Sequence, residues 1–456
     1  MSFLKKYKEI LSIFLSIIFY FLFAFFVERV AFNKLVFLWF SLFGCFYWLL
    51  KSTQISFKTL AILAIIFRLI FLFATPNLSQ DFYRFIWDGR MILEGFNPYL
   101  SLPETFIQQS LNPVAEASEL YQGMGELNGS HYTNYPPLNQ LCFLIAALFS
   151  SKSIFGSIII LRVLIILADI GILYFGKKLL EKLQLPVKNI FWYILNPFII
   201  IEMTGNLHFE PVMLFFLIFG MYKLYEQKWI LAAILIACSV SVKLIPLLFL
   251  PLFFQWFVNH RKHSQDSQLL KSYKIFTLFA FYGIICSINI LLFLPFYSPE
   301  LIANYSSSVG LWFKTFEFNA SFYYIFREIG YLFRGYNEIA IVGKISLALT
   351  IGFLIILTFF RKNTSDKALF TAMLFGLCFY YFTATTVHPW YLATPIILSV
   401  FTKYRFPIIW SIVIILSYQA YSNLPWQENL WFVTLEYLVV FSYLIYEIKN
   451  KTRKIR

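Results

Sequence analysis

Charged residues are scarce. They make up 13% of the 456 residues, where a soluble domain carries about a quarter. That deficit excludes a water-soluble enzyme. Apolar residues form 60% of the chain, with a mean hydropathy of +0.71, and so many cannot stay solvated, which excludes disorder. Apolar–polar alternation is also missing. The apolar residues come in unbroken runs, which argues against a porin-like barrel. Cysteine is rare: Cys45, Cys142, Cys238, Cys286 and Cys378 each stand alone inside an apolar run. With no CxxC pair and no Cys/His spacing, neither disulfides nor a zinc site is expected. No small-residue cleavage site follows the first run, Ile10 to Val27, so it reads as a retained helix.

What is present is a series of apolar runs from residues 10–27 to residues 430–447. A full span needs about 20 residues, so the shorter runs must tilt, be flanked by snorkelling side chains, or lie partly inside protein. The composition specifies an all-α, polytopic transmembrane helical bundle of about 12–14 membrane helices, forming one integral-membrane domain over residues 1–456. Two segments are ambiguous. Residues 137–150 are apolar but short, and residues 229–257 exceed one span and contain Pro246 and Pro251.

Charge resolves both. The net charge of +14, from 37 Lys+Arg against 23 Asp+Glu, reads as the positive-inside rule and not as nucleic-acid binding. If 137–150 is a half-helix and 229–257 a pair broken near Lys243–Pro246, cytoplasmic segments hold 25 Lys/Arg and external ones 8. The opposite choice for both gives 20 against 13. The first arrangement is adopted, with both termini cytoplasmic. It leaves two large external loops, 75–153 and 297–338, and places any chemistry at the external membrane face. The Phe/Ile/Lys/Asn-rich composition suggests a bacterial inner membrane.

The first of these loops opens with Ser79-Gln80-Asp81-Phe82-Tyr83-Arg84-Phe85-Ile86-Trp87-Asp88-Gly89-Arg90. Ser79 suits an N-cap and Gly95 a C′ residue, enclosing a helix of about four turns. At about 100° per residue, Asp81, Arg84 and Asp88 fall within about 60° of one another, beside an apolar face of Phe82, Phe85, Ile86 and Leu93. This pattern describes an amphipathic juxtamembrane helix lying on the bilayer, its charges turned to one side. Three further polar clusters share that side: Tyr132-Thr133-Asn134-Tyr135-Pro136-Pro137, Gly205-Asn206-Leu207-His208-Phe209-Glu210 and His388-Pro389-Trp390-Tyr391. No HxxxH-type spacing supports a metal.

Charges inside membrane runs are costly and hence functional candidates. Arg162 and Asp169, two turns apart, read as a structural pair or as contacts to neighbouring helices. Arg68 and Lys344 read as snorkelling or packing residues. Lys243 follows Ser239-Val240-Ser241-Val242 and precedes Pro246, at a break facing outside. Its two readings are snorkelling and phosphate binding.

Asp81-Phe-Tyr-Arg-Phe-Ile-Trp-Asp-Gly-Arg followed by Gly-Phe-Asn-Pro-Tyr resembles the first-loop signature of GT-C fold glycosyltransferases. It is most similar to their bacterial, polyprenyl-phosphate-dependent, mannosyltransferase-like branch. Tyr135 to Leu138, Asn196-Pro197 with Gly205-Asn206-Leu207-His208, Val242-Lys243-Leu244-Ile245-Pro246 and His388 to Tyr391 extend the resemblance in order over roughly 310 residues. The acidic motif departs from an Asp-x-Asp pair in having Gln80 before its single Asp, and Glu210 stands where relatives often have an Asp one position nearer the His.

The resemblance implies transfer of a sugar, mannose or another hexose, from a polyprenyl-phosphate donor to a hydroxyl of a glycan or glycolipid, within membrane lipid. No cofactor is implied. Asp81 matches the general base. Lys243, Arg84 and His388 would meet the donor phosphate. Asp88, Tyr135, His208, Glu210 and Trp390 would bind substrate or support the site, with Trp87 a further apolar face for a sugar. Attack opposite the leaving phosphate implies inversion. A lipid-linked saccharide transporter or flippase, a surface-polysaccharide ligase or polymerase, and a non-catalytic scaffold remain as alternatives.

Overall fold

A computed structural model describes residues 2–259, 268–314, 316–363, 365–423 and 425–453. Part of the loop counted above as cytoplasmic, residues 260–267, lies outside the described residues. The fold is all-helical. Among the described residues the only extended pairing is a single parallel bridge between Phe318 and Thr386. Six helices there are long and apolar enough to cross a membrane alone: Tyr7–Phe26, Phe32–Lys51, Ile154–Lys182, Lys274–Phe296, Ile339–Phe360 and Leu430–Asn450. Ile199–Gly205 and Glu210–Tyr225 are bent by 111° at the break between them and make a seventh only if the pair counts as one broken span. The other apolar runs are shorter helices, among them Pro137–Phe149, Trp229–Val242, Ile245–Val258 and Pro389–Val400.

Proline explains several of the short elements. Pro137, Pro211, Pro246 and Pro389 each stand in the first turn of a helix, where the missing N–H costs nothing and the fixed φ helps. The Pro137–Phe149 helix has 13 residues, about 20 Å, too short to cross about 30 Å of hydrocarbon. The Trp229–Val242 helix ends at Lys243, whose backbone is extended, and a tighter turn begins at Ile245. This is the break expected between Lys243 and Pro246.

The helix carrying the acidic motif runs Asp81–Leu93. The N-cap is Gln80, without a side-chain cap, and not Ser79, whose hydroxyl accepts the Asp81 N–H at 3.3 Å from one residue further back. Gly95 takes the left-handed conformation that ends the helix (φ 83°). It is not a surface helix, and this corrects the expectation. Residues Phe82 and Arg84–Met91 are buried. Its polar face is covered by the rest of its own loop. Arg84 donates to the carbonyls of Asn128 (2.6 Å) and His131 (2.8 Å), and Arg90 to the Ala115 carbonyl and Glu116. On the apolar side Phe85 stacks on Phe143 at 4.6 Å, with Tyr135 and Phe209 edge-on.

Gly89 sets this packing. A Cβ there would meet the Phe143 carbonyl oxygen at 2.2 Å, so only glycine lets the two helix backbones approach this closely. Gly89→Ala is therefore expected to destabilise the protein by about 1–3 kcal/mol. Gly44, whose Cβ would meet nothing within 4 Å, provides the control. Thermal unfolding in detergent measures both, and an unchanged midpoint for Gly89→Ala contradicts the packing argument.

An exposed amphipathic helix does exist, but in the second long loop. Phe322–Arg334 buries Tyr323 and Tyr324 and leaves Leu332 and Phe333 each 83% exposed.

The buried charges all find partners. Arg68 does not snorkel. Its Nε meets Asp169 at 2.8 Å, and Nη1 donates to the carbonyls of Ala64 and Ile194. Arg162 does not pair with Asp169. It donates to the carbonyls of Thr204 (2.9 Å), Gly205 (2.9 Å) and Leu72 (3.0 Å). Thr204 and Gly205 carry orphan acceptors at the end of the Ile199–Gly205 segment, where a cation satisfies both their lone pairs and the helix dipole. Arg162 thereby fixes the bend that carries His208 and Glu210. Lys344 is exposed on its helix.

Candidate functional site

One cavity of about 630 Å³ gathers the polar clusters. Asp81, Arg84, Tyr135, His208, Glu210, Lys243, His388 and Trp390 all line it. Asp88 does not. It sits one layer behind, taking Arg84 Nε at 2.7 Å and the Gln140 amide at 3.0 Å. Trp87 is also absent from the lining and is fully buried, so it offers no face to a sugar.

Several of the lining groups are placed by a helix end or a break. Asp81 is the first residue of its helix, which puts a carboxylate at the positive end of the helix dipole. It is half-buried. Burial raises its carboxyl above the usual range, and the nearby Lys243 charge and Asn128 amide offset this in part. Glu210 opens the Glu210–Tyr225 helix and forms a short ion pair with Lys243. One carboxylate oxygen of Glu210 carries no hydrogen bond.

His208 reaches the cavity from the bend, next to Leu207 in the left-handed region (φ 61°). Its ring stacks on Trp390 at 4.1 Å, and His388 stacks on the same indole at 4.4 Å. Residues 316–319 back the His388 side of this stack as a strap. Phe318 donates to the Thr385 carbonyl and accepts from Val387 N–H, and the Phe316 and Phe318 rings stand 5.7 and 5.4 Å from His388. Burial first, and the Lys243 charge second, push His388 down to about 3. It is therefore a neutral imidazole at physiological pH, able to donate one hydrogen bond but carrying no charge.

Part of the wall is apolar. Leu244, Ile245, Leu247, Leu248 and Leu347 line it, and Leu247 and Leu347 stand exposed on their own helices. The cavity is thus amphiphilic, its lining combining carboxylates, an ammonium and imidazoles with hydrocarbon side chains. Among the described residues no group of three or more His, Cys, Asp or Glu could hold a metal ion.

Among the lining residues that sequence reasoning missed are Arg29, Tyr421 and Trp426. Arg29 follows the first apolar run, Tyr421 ends the run before the last, and Trp426 follows it. These positions fall on the side assigned to the other clusters, and this was the signal available.

Comparison with known proteins identifies relatives of this chain. An alpha-(1->6)-mannopyranosyltransferase A of Corynebacterium glutamicum is 25% identical over 211 residues. The alignment covers 44% of this chain and 40% of that protein's length. Residues 12–259, which hold Asp81, Arg84, Tyr135, His208, Glu210 and Lys243, match the family described as alpha-(1->6)-mannopyranosyltransferase, N-terminal domain, and over that half of its length the chain belongs to this family.

Proposed function

We propose that the protein is a membrane glycosyltransferase that moves a hexose, mannose by its family, from a polyprenyl-phosphate donor to a hydroxyl of a glycan or glycolipid. The observation that carries this reading is the amphiphilic cavity, whose lining combines Asp81 and Lys243 with the hydrocarbon side chains of Leu244, Ile245, Leu247, Leu248 and Leu347. A lipid-linked sugar phosphate has the same two-part chemistry.

In the reaction, Asp81 takes the proton of the acceptor hydroxyl as its oxygen bonds to the anomeric carbon. The carbon–oxygen bond to the lipid phosphate breaks, and the phosphate leaves with the electron pair. Attack comes from the face opposite the phosphate, so the configuration inverts. Lys243 meets the charge growing on the phosphate, and His388 donates a neutral hydrogen bond. Arg84, with Nε and Nη1 already committed, adds positive field from behind. Glu210 holds Lys243 in place, and His208 and Tyr135 border the sugar. The site lies at the external face of a bacterial inner membrane.

The test uses protein purified in lipid with a panel of radiolabelled polyprenyl-phosphate sugars. The expected result is loss of label from one donor. A folded protein that turns over none of them overturns the reading in favour of a flippase.

The pH dependence follows from the Asp81 environment. The base must be ionised, and burial holds its pKa above the ordinary value of about 3.9. Activity is therefore lost as pH falls, and the acid limb of kcat/KM lies above the ordinary carboxylate value. His388, neutral throughout that range, contributes no limb near 6.5. A limb near 6.5 that disappears in His388→Gln contradicts this assignment.

A further inference from the structure

The cavity has a second polar corner that the reaction above does not use. Arg29 is held there by the Leu78 carbonyl (3.3 Å) and the Gln80 side-chain oxygen (3.4 Å). Its guanidinium lies 4.2 Å over the Tyr421 ring. Trp426 stands 6.5 Å from Tyr421, and Phe318 backs both rings at about 6 Å. Gln80 is the residue before Asp81, and the Asp81 carboxyl lies within the field of Arg29. This corner therefore adjoins the base.

The corner reaches the surface at Trp426, which is 46% exposed, and Leu127, which lines the same cavity, is 51% exposed. Leu247 and Leu347, the exposed residues of the hydrocarbon wall, belong to other helices. A lipid chain fits the hydrocarbon wall and has no reason to occupy a corner of guanidinium, amide and indole. A saccharide does. Its C–H faces pack on exposed aromatic rings, and its hydroxyl rim needs fixed donors and acceptors such as Arg29, Gln80 and Asn128.

We propose that Arg29, Tyr421 and Trp426, with Gln80 and Asn128, form the acceptor subsite, which takes a neutral saccharide and presents its hydroxyl to Asp81. The inference rests on the transferase reading but is tested separately from it. The probe is octyl α-mannosyl-(1→6)-mannoside, titrated without donor into the wild-type protein and into Trp426→Ala and Trp426→Phe, with binding followed by calorimetry.

Wild-type binding that weakens about tenfold in Trp426→Ala and is kept in Trp426→Phe supports the subsite. With donor present, the acceptor KM of Trp426→Ala rises by the same factor while the donor KM does not. Binding unchanged in Trp426→Ala, no binding to the wild type, or donor and acceptor KM rising together overturns it. Saccharide binding that depends on Trp426 in a protein that turns over no donor keeps the subsite and sinks the transferase reading.

Discussion

Asn in place of Asp81 is expected to reduce sugar transfer by about 10²–10⁴-fold while leaving the protein folded. The factor is what a positioned general base contributes, and it corresponds to about 2.7–5.5 kcal/mol of barrier. The effect on stability should be far smaller. Asn keeps the shape, and the first-turn carboxylate adds only about 0.3–1 kcal/mol through the helix dipole. Burial also disfavours the charged form, so removing the charge relieves some of that penalty. The measurement pairs single-turnover consumption of the labelled donor with a thermal unfolding curve of the same preparation. Transfer within threefold of wild type would move the base elsewhere, and Glu210, with one unbonded carboxylate oxygen in the same cavity, is the next candidate.

The second large effect concerns Lys243 and Glu210. Lys243→Met leaves the Glu210 carboxylate buried without its cation. Breaking such a pair from one side costs about 3–5 kcal/mol, so this variant should be both unstable and inactive. Glu210→Gln keeps a hydrogen-bonding side chain beside Lys243 and should fold. The double variant Lys243→Met/Glu210→Gln removes both charges and should regain most of the stability. Transfer should stay lost in it, because no ammonium remains for the leaving phosphate. Unfolding midpoints and donor turnover across this cycle separate the two roles. Transfer that returns together with stability would make Lys243 a structural residue only.

The helical, membrane-embedded class was legible because it depends on composition and run length, which folding does not alter. The break at Lys243 was legible too, since Pro246 and the short run before it leave no continuous helix there. Asp81, Glu210 and His388 could likewise be picked out from the sequence, and the structure gathers them around one cavity. Each stands at a helix end or a break, where polar residues interrupt apolar runs.

What the sequence could not supply is what covers each face. The Asp81–Leu93 pattern is amphipathic whether its polar side meets water or the Asn128 and His131 carbonyls, because periodicity records a face and not its neighbour. For that reason the buried helix reads as interfacial from sequence, while the exposed Phe322–Arg334 helix drew no attention. The same holds for pairing. Arg162 and Asp169 share a helix face by spacing, yet each turns to a different helix, where carbonyls and Arg68 satisfy them.

The sequence by itself determined the class, the breaks and most of the polar lining of the cavity. Only the tertiary structure decided that Arg29 meets Tyr421 and Trp426 beside Asp81. Residues nearly 400 positions apart carry no shared period, and only chain folding brings them into contact.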